Sequence, residues 1–327
     1  MISIVVPVYN ENESLTTLQA EIASMARQAE LDVEVIYVDD GSRDGSWKVI
    51  AALASQEPRV RGIRFRRNFG KAAALSAGFR AAEGDLVFTL DGDLQDDPAE
   101  IPQFLVRLND GLDVVSGWKR TRHDPWHKVW PSRVFNWMVS WLTGVALHDH
   151  NCGMKGYRAE VLREVRLYGE LHRFIPVLAA ARGFRVGELP IRHRPRRFGR
   201  SKYGVRRFVK GFLDLLTVKF LTGFGQRPQH LMGSIGLVSF SLGALGMLYL
   251  ALTWLVRLYN QDAYLPLHER PLLIYSLAAL LLGAQLMSMG LIAELITAYN
   301  TQERDSYSIA ETTDRLVPAA EKEDRSA

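Results

Sequence analysis

The chain has 327 residues, of which 47% are hydrophobic and 23% charged, with a formal net charge of +4 and one cysteine. This composition excludes a largely disordered chain and a disulfide framework, and the length suffices for one large domain or two ordinary ones. Charge is unevenly placed: Arg and Lys crowd between Arg185 and Arg227, whereas the segment from Glu303 onward is rich in Glu and Asp. With no second cysteine to pair with, Cys152 reads as a small packed residue facing a reducing compartment.

The first residues, MISIVVPVYN, lack a basic leader, and their apolar run is stopped by Pro7, the pattern of a strand rather than a signal peptide. Ile2 to Val6, Val33 to Val38, Arg61 to Phe65 and Leu86 to Leu90 are short apolar or β-branched runs. Between them Ser14 to Arg27, Ser46 to Ala54 and Lys71 to Ala82 read as helices. That alternation predicts a parallel α/β sheet, whose ligands bind at the C-terminal strand ends. A polar cluster follows each strand there: PVYNEN, DDGSRDGS, RRNFGK and DGDLQDD.

Neither GxGxxG nor GxxxxGK[ST] follows the first strand, so a bound diphosphate needs metal and Arg or Lys in place of a glycine-rich cradle. TLDGDLQDD crowds Asp91, Asp93, Asp96 and Asp97, whose charges repel unless a cation sits among them. A surface acidic patch is the plain alternative to a metal site. Residues two apart in an extended or turning segment project to one side, so Asp91 and Asp93 suit one hard divalent cation, with Gln95 continuing the spacing. Asp96 and Asp97, before Pro98, read as a helix N-cap and first-turn charges.

Further along, Trp126 to Val145 places Trp130, Val134, Trp137, Met138 and Trp141 at helical spacing, interrupted early by Pro131. Aromatic residues at this density suit a membrane interface, with core packing as the alternative. Val205 to Phe224 is a second amphipathic candidate. Leu231 to Val256 carries no charge, and Leu272 to Thr297 only Glu294, near an end from which it can reach the interface. Both exceed the roughly 20 residues that span a bilayer. Arg206, Arg207, Lys210, Lys219 and Arg227 precede the first span, which by the positive-inside rule predicts cytoplasmic termini. Gly236, Gly243 and Gly246 are available for self-association, the basis for a possible homo-oligomer.

PVYNENESL, YVDDGSRDGSW, RRNFGKAAALSAGF, LDGDLQDDP, DHNCGMKGYR and RRFGRSKYG occur in that order. Together they resemble the family 2 glycosyltransferases of the GT-A fold, an α/β class with a Rossmann-like, mostly parallel sheet. Within that family the chain resembles the polyprenyl-phosphate glycosyltransferase group, related to the dolichol-phosphate mannose and glucose synthases, and its bacterial membrane-anchored branch. The resemblance implies that Pro7, Tyr9, Asn10 and Glu11 line a base and ribose pocket. Asp39 accepts a hydrogen bond from the nucleobase with Asp40 close by, and Lys71 belongs to the donor site. Asp91 and Asp93 hold Mg2+ or Mn2+ beside Gln95. Arg197, Ser201 and Lys202 fall on a loop that closes over the diphosphate, where Arg200 is an additional arginine. Arg120 and Arg122 lie near the phosphates, and Asp149 near the reacting centre.

The expected organisation is a GT-A domain over residues 1–203, a juxtamembrane segment over 204–230, two transmembrane helices over 231–298 and a charged cytoplasmic tail over 299–327. The expected activity is inverting transfer of one sugar, with UDP-glucose as the leading donor, to polyprenyl phosphate on the cytoplasmic face of the inner membrane. A processive polysaccharide synthase is disfavoured because no tryptophan sits in a QxxRW motif. A membrane accessory protein is disfavoured by the carboxylate pair and the lysine loop, and a nucleic-acid partner by the apolar spans. The division among the aspartates predicts that Asp93→Ala lowers Mn2+ affinity in titration calorimetry while Asp97→Ala leaves it nearly unchanged; equal losses would show the division is wrong.

Overall fold

The computed structural model describes residues 1–120, 126–165, 171–194, 211, 213–215, 217–219, 228–260 and 264–301. The chain forms two compact units, Met1–Lys219 and Phe220–Ala327.

In the first unit β1 (Ile2–Val8), β2 (Val33–Asp39), β3 (Val60–Arg64) and β4 (Leu86–Thr89) alternate with α1 (Asn12–Gln28), α2 (Ser46–Gln56) and α3 (Lys71–Ala81). Three more strands extend the sheet: β5 (Val114–Trp118), β6 (Lys155–Arg158) and β7 (Val186–Pro190), giving the order β3-β2-β1-β4-β6-β5-β7. β6 runs antiparallel to both β4 and β5, and the other pairings are parallel. The period of two divides β1 between two layers. Ile2, Ile4, Val6 and Val8 pack with Leu15 and Leu18 of α1, whereas Val5 packs with Ala74 and Leu75 of α3. Helix α3 lies so close to β1 that a Cβ on Gly78 would stand 2.2 Å from Val5 Cγ1.

Pro7 is tolerated in this central strand for a geometric reason. The Val5 carbonyl faces β4 and accepts from Leu90 N–H, so Pro7, two residues on, faces the same side. There the β1–β4 ladder has ended at Val5 opposite Thr89, and the missing N–H costs no sheet hydrogen bond.

Helix α4 (Ile101–Asn109) covers the α1 layer, and α5 (Trp126–Thr143), α6 (Ala159–Glu164) and α7 (Ile175–Ala181) complete the unit. Pro131 does not interrupt α5, which runs unbroken from Trp126 to Thr143. Its faces divide sharply. Val139 is buried with Phe174, Val177, Leu215 and Val218, and Phe135 and Met138 pack against them. Trp130, Trp137 and Trp141 are instead 69%, 67% and 72% exposed. Core packing is therefore excluded for the tryptophans, which form an outward apolar stripe with Val134.

The second unit is a helical hairpin of α8 (Pro228–Tyr259) and α9 (Pro271–Thr301). Gln229–Tyr259 and Pro271–Leu295 have mean hydropathies of 2.0 and 1.9, and both are long enough to cross a membrane. Small residues set their approach. A Cβ on Gly236 would meet the Gly283 carbonyl oxygen at 2.8 Å, one on Gly243 the Leu280 nitrogen at 2.5 Å, and one on Gly246 the Ser276 hydroxyl at 2.1 Å. Gly236, Gly243 and Gly246 are thus consumed inside the hairpin, which corrects their assignment to self-association. Polar ties hold both ends: Arg270 Nη1 donates to Thr253 Oγ1 at 2.7 Å, and Gln229 N to Glu294 Oε2 at 3.2 Å. Gly283→Leu, whose Cβ would meet Phe240 N at 2.4 Å, should force the helices apart. We expect a loss of about 1–3 kcal/mol in thermal unfolding of the detergent-solubilised chain; an unchanged Tm would show that this contact is absent.

Candidate active site

The loops after β1 to β4 meet at one sheet edge and fasten to one another. Asn10, in the left-handed region at φ 56°, donates its N–H to Ser42 Oγ at 2.9 Å and accepts from Arg43 N–H at 2.9 Å. Glu11 N–H donates to Ser46 Oγ at 3.0 Å, and the Ser14 hydroxyl reaches the Gly92 carbonyl. Gly41 packs directly on the loop after β3, where a Cβ would stand 2.5 Å from the Arg67 carbonyl carbon.

Asp39 is fully buried, with Oδ1 accepting from Ser42 N–H at 2.9 Å and Oδ2 3.5 Å from Arg64 Nε. Asp40 accepts from Phe69 N–H at 2.6 Å and Gly70 N–H at 2.9 Å. Burial raises the Asp40 pKa, those two N–H groups oppose the rise and Asp39 adds to it. The second carboxylate of the DD pair therefore anchors the loop that leads into α3.

After β4 the four aspartates separate. Asp91 pairs with Lys71, and its other oxygen lies against Gly153, where a Cβ would stand 2.4 Å from Asp91 Oδ2. Asp93 accepts from Gln95 N–H at 3.2 Å across Leu94, whose φ is 59°. Asp97 caps the short 3-10 turn Pro98–Glu100, accepting from Ala99 N–H at 3.0 Å, as its expected cap role requires. Asp96 is neither a cap nor a first-turn charge. It is 1% exposed, and Oδ1 lies 2.7 Å from Lys119 Nζ at the end of β5 and 3.9 Å from His193 Nδ1. Burial opposes ionisation of both partners, but the attraction between them lowers the Asp96 pKa and raises that of Lys119. Sequence spacing alone hid this, because the partner is delivered by a distant strand.

The segment Leu147 to Met154 packs on β5 and leads into β6. Asp149, 2% exposed, accepts from Asn151 N–H at 3.1 Å, and its carbonyl accepts from the Ser116 hydroxyl at 3.3 Å. Lys155 is buried and donates to the His150 and Cys152 carbonyls. Burial lowers its pKa. Lys119 and Lys155 are the site residues that sequence reasoning passed over, although Lys119 directly precedes Arg120 and Lys155 lies inside the DHNCGMKGYR motif.

Among the described residues no group of three or more His, Cys, Asp or Glu side chains forms a metal cage. A carboxylate pair still fits a hard cation completed by phosphate oxygens, and Gly153 leaves the room beside Asp91 that any side chain would fill. Tyr9, Asn10, Glu11, Asp40, Asp91, Asp93 and Gln95 belong to the interlocked loops, Pro7 and Asp39 lie at the ends of β1 and β2 that lead into them, and Lys71 opens α3. Arg120 lies to one side, bordering an open cleft of about 460 Å³ with Glu100, Arg192 and His193. Arg122, Arg197, Arg200, Ser201 and Lys202 lie outside the described residues.

His150 supplies a pH probe of this floor. Ser140 Oγ donates to the Leu147 carbonyl at 3.0 Å, so at 3.0 Å from the His150 ring it accepts from Nε2, and Nδ1 has no hydrogen-bond partner. Burial, followed by the Lys155 charge, pushes the imidazole down to about 4. The unfolded chain takes up this proton near pH 6.5, so between the two values it binds more protons than the folded one. Stability should fall by up to roughly 3 kcal/mol as pH drops through that window. His150→Gln should flatten the dependence in thermal unfolding, and an unaltered slope would refute it.

Residues 3–166 match the family model for glycosyl transferase family 2. The dodecaprenyl-phosphate galacturonate synthase of Rhizobium johnstonii is 36% identical over 321 residues, covering 96% of this chain and 93% of its own length. An undecaprenyl-phosphate 4-deoxy-4-formamido-L-arabinose transferase of Aeromonas hydrophila is 34% identical over 305 residues, 93% of this chain and 90% of its own. Among solved structures, glucosyl-3-phosphoglycerate synthase from Mycobacterium tuberculosis, in complex with Mn2+, uridine diphosphate and phosphoglyceric acid, superposes with a TM-score of 0.53. It shares 18% identity, covers 68% of this chain and 78% of that one, and supports the GT-A-like fold.

Proposed function

We propose, from the premise that this chain belongs to glycosyl transferase family 2 and is a glycosyltransferase, that it moves a single sugar from a nucleotide donor to polyprenyl phosphate at the cytoplasmic face of the inner membrane. The observation that carries this proposal is the extent of the likeness. The matches cover 96% and 93% of this chain, so the carboxylate loop after β4 and the apolar hairpin both fall within the likeness to relatives named for prenyl-phosphate acceptors.

Asp91 and Asp93 would hold a divalent cation, Mg2+ or Mn2+, with Gln95 beside them. Such an ion, when bound, disperses the charge that develops on a departing diphosphate. The chain supplies the rest. Lys71 and the basic residues Arg120, Arg122, Arg197, Arg200 and Lys202, with Ser201, are the candidates to neutralise phosphate oxygens, Arg as a planar fork and Lys as a point charge. Pro7, Tyr9, Asn10, Glu11, Asp39 and Asp40 would shape the nucleoside side of the cleft.

A phosphate monoester has its second pKa near 6 and is largely dianionic at neutral pH. The acceptor therefore needs holding more than deprotonation, and Asp149, locked in its buried loop, suits a positioning role near the reacting centre. A single displacement with inversion suits a site in which no enzyme nucleophile is evident among the described residues. The tryptophan stripe of α5 would lie at the lipid interface, where indole rings are favoured.

Named relatives handle galacturonate and formamido-arabinose, so a donor panel should include these sugars as their nucleotides alongside UDP-glucose. Purified chain, divalent metal, undecaprenyl phosphate and this panel should yield a prenyl-monophosphate sugar, with turnover reduced at least tenfold in Asp149→Asn. No glycolipid from any donor would sink the proposed activity, and full turnover in Asp149→Asn would reduce Asp149 to a loop anchor.

A further inference from the structure

Asp91 lies within electrostatic reach of three lysines, two of which are committed to other partners in the buried floor. Lys119 is ion-paired with Asp96, and Lys155 donates to the His150 and Cys152 carbonyls. Lys71 is more open to solvent than either. It is the first residue of α3 and pairs with Asp91 Oδ1, and the two side chains are 30% and 31% exposed. On the other side, Asp91 Oδ2 abuts Gly153. The oxygen turned toward α3 therefore carries an ammonium group.

We propose that Lys71 competes with the divalent cation for Asp91, and that the donor diphosphate relieves this competition by drawing the ammonium onto its own oxygens. The inference rests on the metal-dependent reading given above. An ammonium beside Asp91 cancels one of the two negative charges that Asp91 and Asp93 offer a cation, and it repels an approaching dication directly. Lys71 also occupies the first turn of α3, where the helix dipole disfavours positive charge, so its place depends on an anionic partner. Asp91 is one such partner and a phosphate is another. When a diphosphate takes Lys71, the full charge of the carboxylate pair returns to the metal. Metal and nucleotide then strengthen each other's binding by the same factor, with one lysine as the exchanged group. Three roles for Lys71 make different predictions. A fixed structural ion pair changes stability alone, a lysine that only binds phosphate leaves binding of bare metal untouched, and a competitor changes the two affinities in opposite directions.

The test uses the full chain in detergent, with free Mn2+ read by electron paramagnetic resonance. Without nucleotide, Lys71→Met should bind Mn2+ about tenfold more tightly than wild type, the size expected for removing one charge next to a dication at partly screened range. Lys71→Arg should resemble wild type. With Mn2+ saturating, UDP should bind Lys71→Met several-fold more weakly. Lys71→Gln replaces Lys71→Met if the latter lowers Tm appreciably, and Asp93→Asn confirms that the signal reports this site. Equal Mn2+ affinity in wild type and Lys71→Met would overturn the competition and leave the metal reading standing. Unchanged UDP binding would overturn the exchange onto diphosphate. Failure of Mn2+ to bind either protein, with or without UDP, would remove the metal reading and the competition with it.

Discussion

Charge compensation at the C-terminal end of β4 governs the architecture of the catalytic unit. Asp91, Asp93, Asp96 and Asp97 fall within seven positions, and each needs a separate answer to its charge. Asp97 uses the Ala99 N–H at a turn and the Arg194 guanidinium 2.6 Å away, Asp96 uses Lys119, Asp91 uses Lys71, and Asp93 accepts from the Gln95 N–H of its own loop. Removing one partner of the buried pair would strand a charge in the protein interior, a loss on the order of 3–5 kcal/mol. The positions of β5 and α3 are thereby tied to two of these carboxylates.

The antiparallel β6 brings its preceding loop beside these carboxylates, with Gly153 against Asp91. Its register sets Lys155 opposite Thr89, at the point where β4 gives way to the aspartate loop, and Thr89 Oγ1 donates to the Gly153 carbonyl at 2.7 Å. A strand entering from the other direction brings the Asp149 to Gly153 segment back across the sheet edge. Acidic loops from the parallel half and buried lysines from the mixed half thus face one another.

The same small-residue logic serves two different solvents. Gly153 in the catalytic unit allows a carboxylate to approach the backbone, and Gly236, Gly243 and Gly283 in the hairpin allow helix to approach helix. The hairpin has no hydrophobic driving force between its helices if lipid surrounds it, so close backbone contact and terminal polar ties carry its cohesion. Its outward residues, including Leu237, Leu242, Leu245 and Leu281, remain exposed, as a lipid-facing surface requires.

Local pattern determined much of this molecule. The four parallel strands with their helices, the loops that carry Asp39, Asp91 and Asp93, the cap at Asp97 and the two long apolar helices follow from periodicity and turn chemistry, which act within a few residues. The later strands escaped notice: β6 is four residues, KGYR, and β7 is a half-buried edge. Burial of Asp96, the unbroken course of α5 through Pro131, the outward turn of its tryptophans and the consumption of the hairpin glycines were decided only by tertiary structure. Each depends on which distant element supplies the neighbour, a charge from β5 in one case and a backbone from α9 in another. Spacing along the chain shows which residues can serve a site, and packing decides which of them are already engaged by another residue.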